Sequence, residues 1–144
     1  LRFPHHAYLA EMVEAVAGVT PYARAWMHVG AVHLDGARMA KSTGNLVLVS
    51  EVVDKHPAAA LRLLLIDRPW ALPWDYDPAT LDAAAARLDR LYAAAARPGT
   101  GTEAATGAVT AALLADLDVP TALGVAEDAG GDAARQALSV LNLA

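Results

Sequence analysis

The chain has 144 residues, 56% hydrophobic and 19% charged, with a formal net charge of −5 and no cysteine. This composition excludes a disordered chain, a disulfide framework and a broad basic face for nucleic acid, and it makes a reducing cytoplasm the expected compartment. The most apolar run, "AAALRLLLI", is interrupted by Arg62 and falls short of the roughly 18 residues a membrane span needs, and the start "LRFPHHAYLAE" is not a signal peptide.

In chain order, Leu9, Met12, Val13 and Val16 recur at helical spacing and predict a helix from His6 to Val16, stopped at Gly18 ahead of Pro21. "AWMHVGAVHL" predicts one or two short strands, with Gly30 marking a bend or a close backbone approach. Asp35-Gly36 is a turn signal. Ser50 reads as the cap of a helix over "EVVDKH", and Pro57 opens another over "PAAALRLLLIDR". Pro69 and Pro73 break the chain. A long helix capped by Asp77 then carries the stripe Leu81, Ala84, Leu88 and Leu91. More helix is expected from Glu103 to Leu117 and from Asp132 to Leu141, with "DLDVPTAL" between them read as a helix junction broken at Pro120. With a single Phe, packing falls to leucine, valine and alanine. Trp26, Trp70 and Trp74 read as packing anchors, and His33 and His56 as surface or core-edge residues. The second half is thus a small helical bundle.

The loop "DGARMAKSTGN" places Arg38 and Lys41 in a glycine-bounded segment. On spacing alone it reads as a solvated surface loop. The alternative is an anionic, transiently bound partner such as a phosphate chain, to which Ser42, Thr43 and the amides around Gly44 would add donors.

"DGARMAKSTGN" resembles the Lys-Met-Ser-Lys-Ser loop of class I aminoacyl-tRNA synthetases, which clamps the pyrophosphate of ATP. With "FPHH" and "YARAWMHVGAVHLDG" in the same order and spacing, the chain resembles the cysteine-activating branch of that class. That branch contains cysteinyl-tRNA synthetase and the cysteine:glucosaminyl-inositol ligase of mycothiol biosynthesis. The resemblance implies an α/β fold: the C-terminal part of a Rossmann-like core (1–50), a helical connective region (51–98) and a helical bundle (99–144), mostly α in this chain. It also implies ATP with its magnesium as cofactor. Lys41 matches the second lysine of the signature and Arg38 stands at the first, a planar fork in place of a point charge. Met39 and Ser42 complete the loop, Ala40 replaces a serine, and Asn45 sets the loop's exit. His28 and Gly30 fall where the family's backbone passes the nucleotide.

In the same family the first histidine of "FPHH", here His5, is a zinc ligand beside two upstream cysteines, a soft donor set suited to a thiolate substrate. Leu9 stands where the synthetases have a further glutamate ligand, and Ala7 also departs from their pattern. The resemblance therefore makes His5 one zinc ligand, with the others necessarily outside this chain.

The resemblance further implies that the upstream half, with the His-Ile-Gly-His signature, precedes Leu1. The 144 residues alone are then expected not to activate cysteine, because the converging groups are incomplete. Leu9, "NLVLVS" and the short finish at "VLNLA" resemble the mycothiol-type ligase, while "YARAWMH" is closer to the synthetase. The expected substrates are cysteine, ATP and an aminosugar-inositol acceptor, with no tRNA and no membrane. A cysteinyl-tRNA synthetase fragment or paralogue is the first alternative. The second is a non-catalytic half or interaction module that needs a partner chain.

Overall fold

The computed structural model describes residues 2–98 and 102–144. Helix α1 (Ala7–Ala17) follows an irregular turn, Arg2–His6, and ends at Gly18, whose left-handed φ of 64° lets its N–H reach the Glu14 carbonyl. A hairpin follows, made of β1 (Val32–Leu34) and β2 (Ala37–Arg38). Asp35 and Gly36 form its two-residue turn, both at positive φ (53° and 76°), as the tight hairpin turn of this hand requires. Helices α2 (Val49–Val53) and α3 (Ala58–Ile66) lead to β3 (Trp74–Asp75). β3 pairs parallel with β1, so the sheet order is β2-β1-β3.

Four helices complete the chain: α4 (Pro78–Ala95), α5 (Glu103–Leu114), α6 (Val119–Ala129) and α7 (Gly131–Val140). Asp77 caps α4 by accepting the Ala79 N–H at 2.9 Å, Thr102 accepts the Ala105 N–H, and Asp118 caps α6 through the Thr121 N–H at 3.1 Å.

The α4 stripe Leu81, Ala84, Leu88 and Leu91 is buried as its spacing predicts. Its upper part joins Val52 and Leu64 under Trp74 and Tyr76, while its lower part enters the main core with Leu63, Val109, Leu123 and Leu143. Ala122, Ala126, Ala133, Ala134 and Ala137 are fully buried, so alanine rather than leucine forms much of the α6–α7 contact. Small side chains let the two axes approach closely, which is how an alanine-rich chain still reaches native packing density. The tail folds back as well: Tyr92 donates to the Leu143 carbonyl at 2.6 Å, holding Leu143 in the core.

Arginines bind the helices together from outside. Arg87 on α4 reaches Asp67 at 2.5 Å and Glu127 at 3.2 Å, and Arg90 reaches Glu127 at 2.5 Å. Burial raises the Glu127 carboxyl pKa, but hydrogen bonds and charge from Arg90 and Arg87 outweigh it and hold the group below its usual value.

Several sequence expectations are corrected. Ser50 lies inside α2, because the chain turns helical one residue earlier and Leu48 occupies the cap. In "AWMHVGAVHL" only Val32–Leu34 is strand; residues 26–31 have no ladder partner along their length among the described residues. The Glu103 helix ends at Leu114 rather than Leu117, since Asp116 and Leu117 take positive φ. Pro120 does not break a helix. It sits in the first turn of α6, where its missing N–H costs nothing. Finally, α1 buries none of its residues, and Met12 and Val16 are 66% and 90% exposed despite the helical stripe.

Leu91→Ala is expected to lower unfolding free energy by about 2–5 kcal/mol, read from urea denaturation, because Leu91 is fully buried between α4 and its neighbours. Glu127 contributes stability above the ordinary glutamate value of about 4.3, and the contribution is lost as pH falls through its lower folded value. Glu127→Gln should therefore be less stable than the parent at pH 7, with the gap closing on acidification to pH 2–3. A gap independent of pH would refute the assignment.

Candidate functional site

The signature loop is built from short-range chemistry. After β2 the chain makes a single 3-10 turn, Lys41–Thr43, and leaves it through Gly44 at φ 70°. Asn45 ties the loop to itself. Its Oδ1 accepts the Ala40 N–H at 3.0 Å and the Thr43 hydroxyl at 2.5 Å, and its Nδ2 donates to the Arg38 carbonyl at 3.1 Å. The exit residue is thus the loop's internal brace. At the hairpin tip, Asp75 Oδ1 accepts the Gly36 N–H at 3.0 Å, fixing the turn to β3.

This frame leaves both cations exposed. Neither Arg38 nor Lys41 makes an ion pair among the described residues. Met39 is half-buried and its N–H continues the hairpin ladder to the Val32 carbonyl at 3.0 Å, while Ser42 is exposed in the turn. Two basic side chains on a braced loop, without neutralising carboxylates, suit an oxyanion that both can approach.

Arg38 also faces an open cleft of about 810 Å³ that His6, His28, Gly30, Ala71 and Pro73 help to line. The structure therefore brings His28, Gly30 and Arg38 together, whereas Lys41, Met39 and Ser42 do not line this cleft. Gly30 has a physical requirement: a Cβ there would collide with the Leu72 carbonyl, because the 69–73 backbone passes directly against it. Its N–H donates to the Trp70 carbonyl at 2.8 Å.

His5 is exposed, and among the described residues no three His, Asp or Glu side chains come together to hold a metal ion. One imidazole, an apolar Leu9 and no thiolate do not fit zinc within this chain. Its neighbour His6 is the more embedded residue. Its ring stacks on Trp26 (centroids 5.2 Å, 26°) and on His28 (5.3 Å, 24°), and its Nδ1 is buried with no hydrogen-bond partner among the described residues. Trp26 is 45% exposed and belongs to this stack, which corrects its reading as a packing anchor. Trp74 does anchor: Arg68 lies 3.6 Å over its ring, and the ring packs on the Val52–Leu64–Leu81 cluster. Of the remaining histidines, His33 is on β1 and His56 pairs with Asp82 at 3.5 Å.

Sequence reasoning missed His6 and Asp75 as members of the site. The adjacent histidines of "FPHH" signalled the first. No local signal marked Asp75, because its partner Gly36 lies 39 residues away.

Comparison with known proteins identifies the family. A family model described as tRNA synthetases class I (C) catalytic domain matches residues 1–86. Three relatives carry the name L-cysteine:1D-myo-inositol 2-amino-2-deoxy-alpha-D-glucopyranoside ligase. The Streptomyces griseus protein is 45% identical over 128 residues, covering 85% of this chain and 31% of its own length. The Streptomyces coelicolor protein is 43% identical over 125 residues, with the same shares. The Frankia casuarinae protein is 42% identical over 147 aligned residues, covering 92% of this chain and 31% of its own. The chain thus spans about a third of the length of the curated relatives it matches.

Asn45→Ala removes three hydrogen bonds inside the loop and is expected to loosen it locally by about 1–2 kcal/mol. Amide exchange at Ala40 and Thr43 should accelerate roughly tenfold, while the urea midpoint stays near that of the parent. Unchanged exchange at both amides would show that Asn45 does not brace the loop.

Proposed function

The chain belongs to the tRNA synthetase class I (C) catalytic-domain family, and from that premise we propose that it is the signature-loop portion of an ATP-dependent cysteine ligase. Cysteine carboxylate attacks the α-phosphorus of ATP, pyrophosphate leaves, and cysteinyl-adenylate forms. The amine of a glucosaminyl-inositol acceptor then attacks the acyl carbon, AMP departs, and an amide is made. The single observation that carries this reading is the Asn45-braced loop that presents Arg38 and Lys41 without ion-pair partners among the described residues, beside the cleft of His28 and Gly30.

In this scheme Lys41 stabilises the negative charge that builds on the departing pyrophosphate, and Arg38 holds the phosphate chain with a planar fork. Met39 and Ser42 shape the loop around the nucleotide, and His28 and Gly30 form its wall. Magnesium would accompany ATP on the phosphates. His5 would serve zinc only with ligands from outside these residues, so no step is routed through that metal. Residues 1–50 act as the end of the catalytic core, 51–98 as the connective region and 99–144 as the closing bundle.

The acceptor is the finer part of the proposal. The names of the relatives support an aminosugar-inositol amine, and the net charge of −5 argues against a tRNA surface. The description of the family model favours the alternative, a cysteinyl-tRNA synthetase, and acceptor assays separate the two. The exposed apolar side of α1, with Leu9, Met12 and Val16, supports the further element that these residues work against the remainder of a larger catalytic core. Among the described residues no helix is long and apolar enough to cross a membrane.

Lys41→Ala, made in the intact polypeptide that carries this chain, should reduce cysteine-dependent ATP–pyrophosphate exchange by roughly 10²–10³ in kcat, the usual loss for one preorganised charge contact. Normal turnover in that variant would sink the mechanistic assignment.

A further inference from the structure

"DLDVPTAL" has no part in the scheme above, yet its loop holds two consecutive non-glycine residues at positive φ, the one such pair among the described residues. Asp116 and Leu117, at φ 55° and 57°, are consecutive non-glycine residues in the left-handed region, a conformation that persists only where the surroundings hold it. The holding contacts are visible. The Asp118 N–H donates to the Ala112 carbonyl at 3.1 Å, its carboxylate caps α6, and Val119 and Ala122 beside it are buried in the main core. This geometry presents the Asp116 carbonyl outward, where it accepts the Trp70 indole N–H at 2.8 Å across 46 residues of sequence.

Trp70 faces the other way through its backbone. Its carbonyl accepts the Gly30 N–H at 2.8 Å, at the point where Gly30 lies against Leu72 and forms part of the wall of the large cleft. The 69–73 segment is bounded by two prolines, and the Leu72 N–H closes a turn on the Pro69 carbonyl at 3.2 Å, so it is stiff enough to pass a displacement from one end to the other.

We propose that Trp70 is a positioning residue: it sets the Gly30 wall of the nucleotide cleft from the rigid α5–α6 loop of the bundle, through its indole N–H on Asp116 and its carbonyl on Gly30. The role in nucleotide binding rests on the cleft being the ATP site proposed above; the mechanical link does not. Beside the β1–β3 ladder, this side chain gives the fold a second link between bundle and cleft, and the left-handed Asp116–Leu117 loop keeps the acceptor carbonyl aimed at it.

Trp70→Phe tests this, since it keeps an aromatic ring and deletes the N–H. Two readouts are needed. In the chain itself, hydrogen exchange at the Gly30 amide should accelerate about three- to tenfold, the size expected for one neutral hydrogen bond, with the thermal midpoint little changed. In the intact polypeptide, exchange of labelled pyrophosphate into ATP should show KM for ATP raised by a similar factor, with kcat and the KM for cysteine near the parent values. An unchanged Gly30 amide would overturn the link. A faster Gly30 amide with unaltered KM for ATP would overturn its role in the cleft. A parent protein with no cysteine-dependent exchange would overturn the ligase reading instead, and the Gly30 amide would still decide whether Trp70 places that wall.

Discussion

The parallel pairing of β1 with β3 is the contact on which the arrangement of this molecule depends. Val32 lies opposite Trp74 and His33 opposite Asp75, with the Trp74 N–H on the Ala31 carbonyl at 3.1 Å and the Tyr76 N–H on the His33 carbonyl at 2.8 Å. Each residue of β3 serves both sides. Trp74 packs on the Val52–Leu64–Leu81 cluster under Arg68, and Asp75 reaches across to the Gly36 turn. Two residues later Asp77 caps α4, the longest helix among the described residues, which enters both apolar clusters, as α3 does. The orientation of the basic loop is therefore inherited from the bundle, through a ladder only a few hydrogen bonds long.

That inheritance explains why burial is so unevenly spread. From Ala60 to Leu143 the main core is continuous, dense in alanine and tied on its surface by Arg87, Arg90 and Glu127. The first 31 residues contribute no fully buried side chain among those described, and α1 rests on the turn that precedes it and on the segment that follows, where the Glu14 carboxylate accepts the Tyr22 N–H at 2.7 Å. Stability in such a molecule is graded, highest where apolar contacts are dense and lowest where backbone hydrogen bonds face water. The loop and cleft sit at the boundary between these regimes, firmly attached on the β3 side and open on the α1 side.

The chemistry that follows from this placement concerns charge more than shape. Among the described residues Arg38 and Lys41 make no ion pair, whereas Arg87, Arg90 and Arg135 do, although the chain as a whole is acidic. Asn45 braces the loop with neutral hydrogen bonds that use no charge of Arg38 or Lys41. Such cations suit a proposed anionic partner, since preorganised charge stabilises developing negative charge with little reorganisation.

Much of this was legible in the residues alone. The α4 stripe, the Asp77 cap and the Asp35-Gly36 turn are local patterns, decided within a few residues by steric and hydrogen-bonding rules, while Gly30 signals a bend or close approach without its partner, and the loop with Arg38, Lys41 and Asn45 is legible through its family resemblance. Local rules also misled where a neighbour outweighed them. Ser50 has capping chemistry but lies within the helix, and the α1 stripe has the periodicity of a buried helix without a partner among the described residues. What only the tertiary structure decided are contacts between residues far apart in the chain: Asp75 on Gly36, Trp70 on Asp116, and the His6–Trp26–His28 stack. The sequence by itself determined which residues carry charge, turn or helix, because those are properties of short segments. Which of them meet was set by the β1–β3 pairing and the bundle core, whose free energy comes from non-local burial that no short segment encodes.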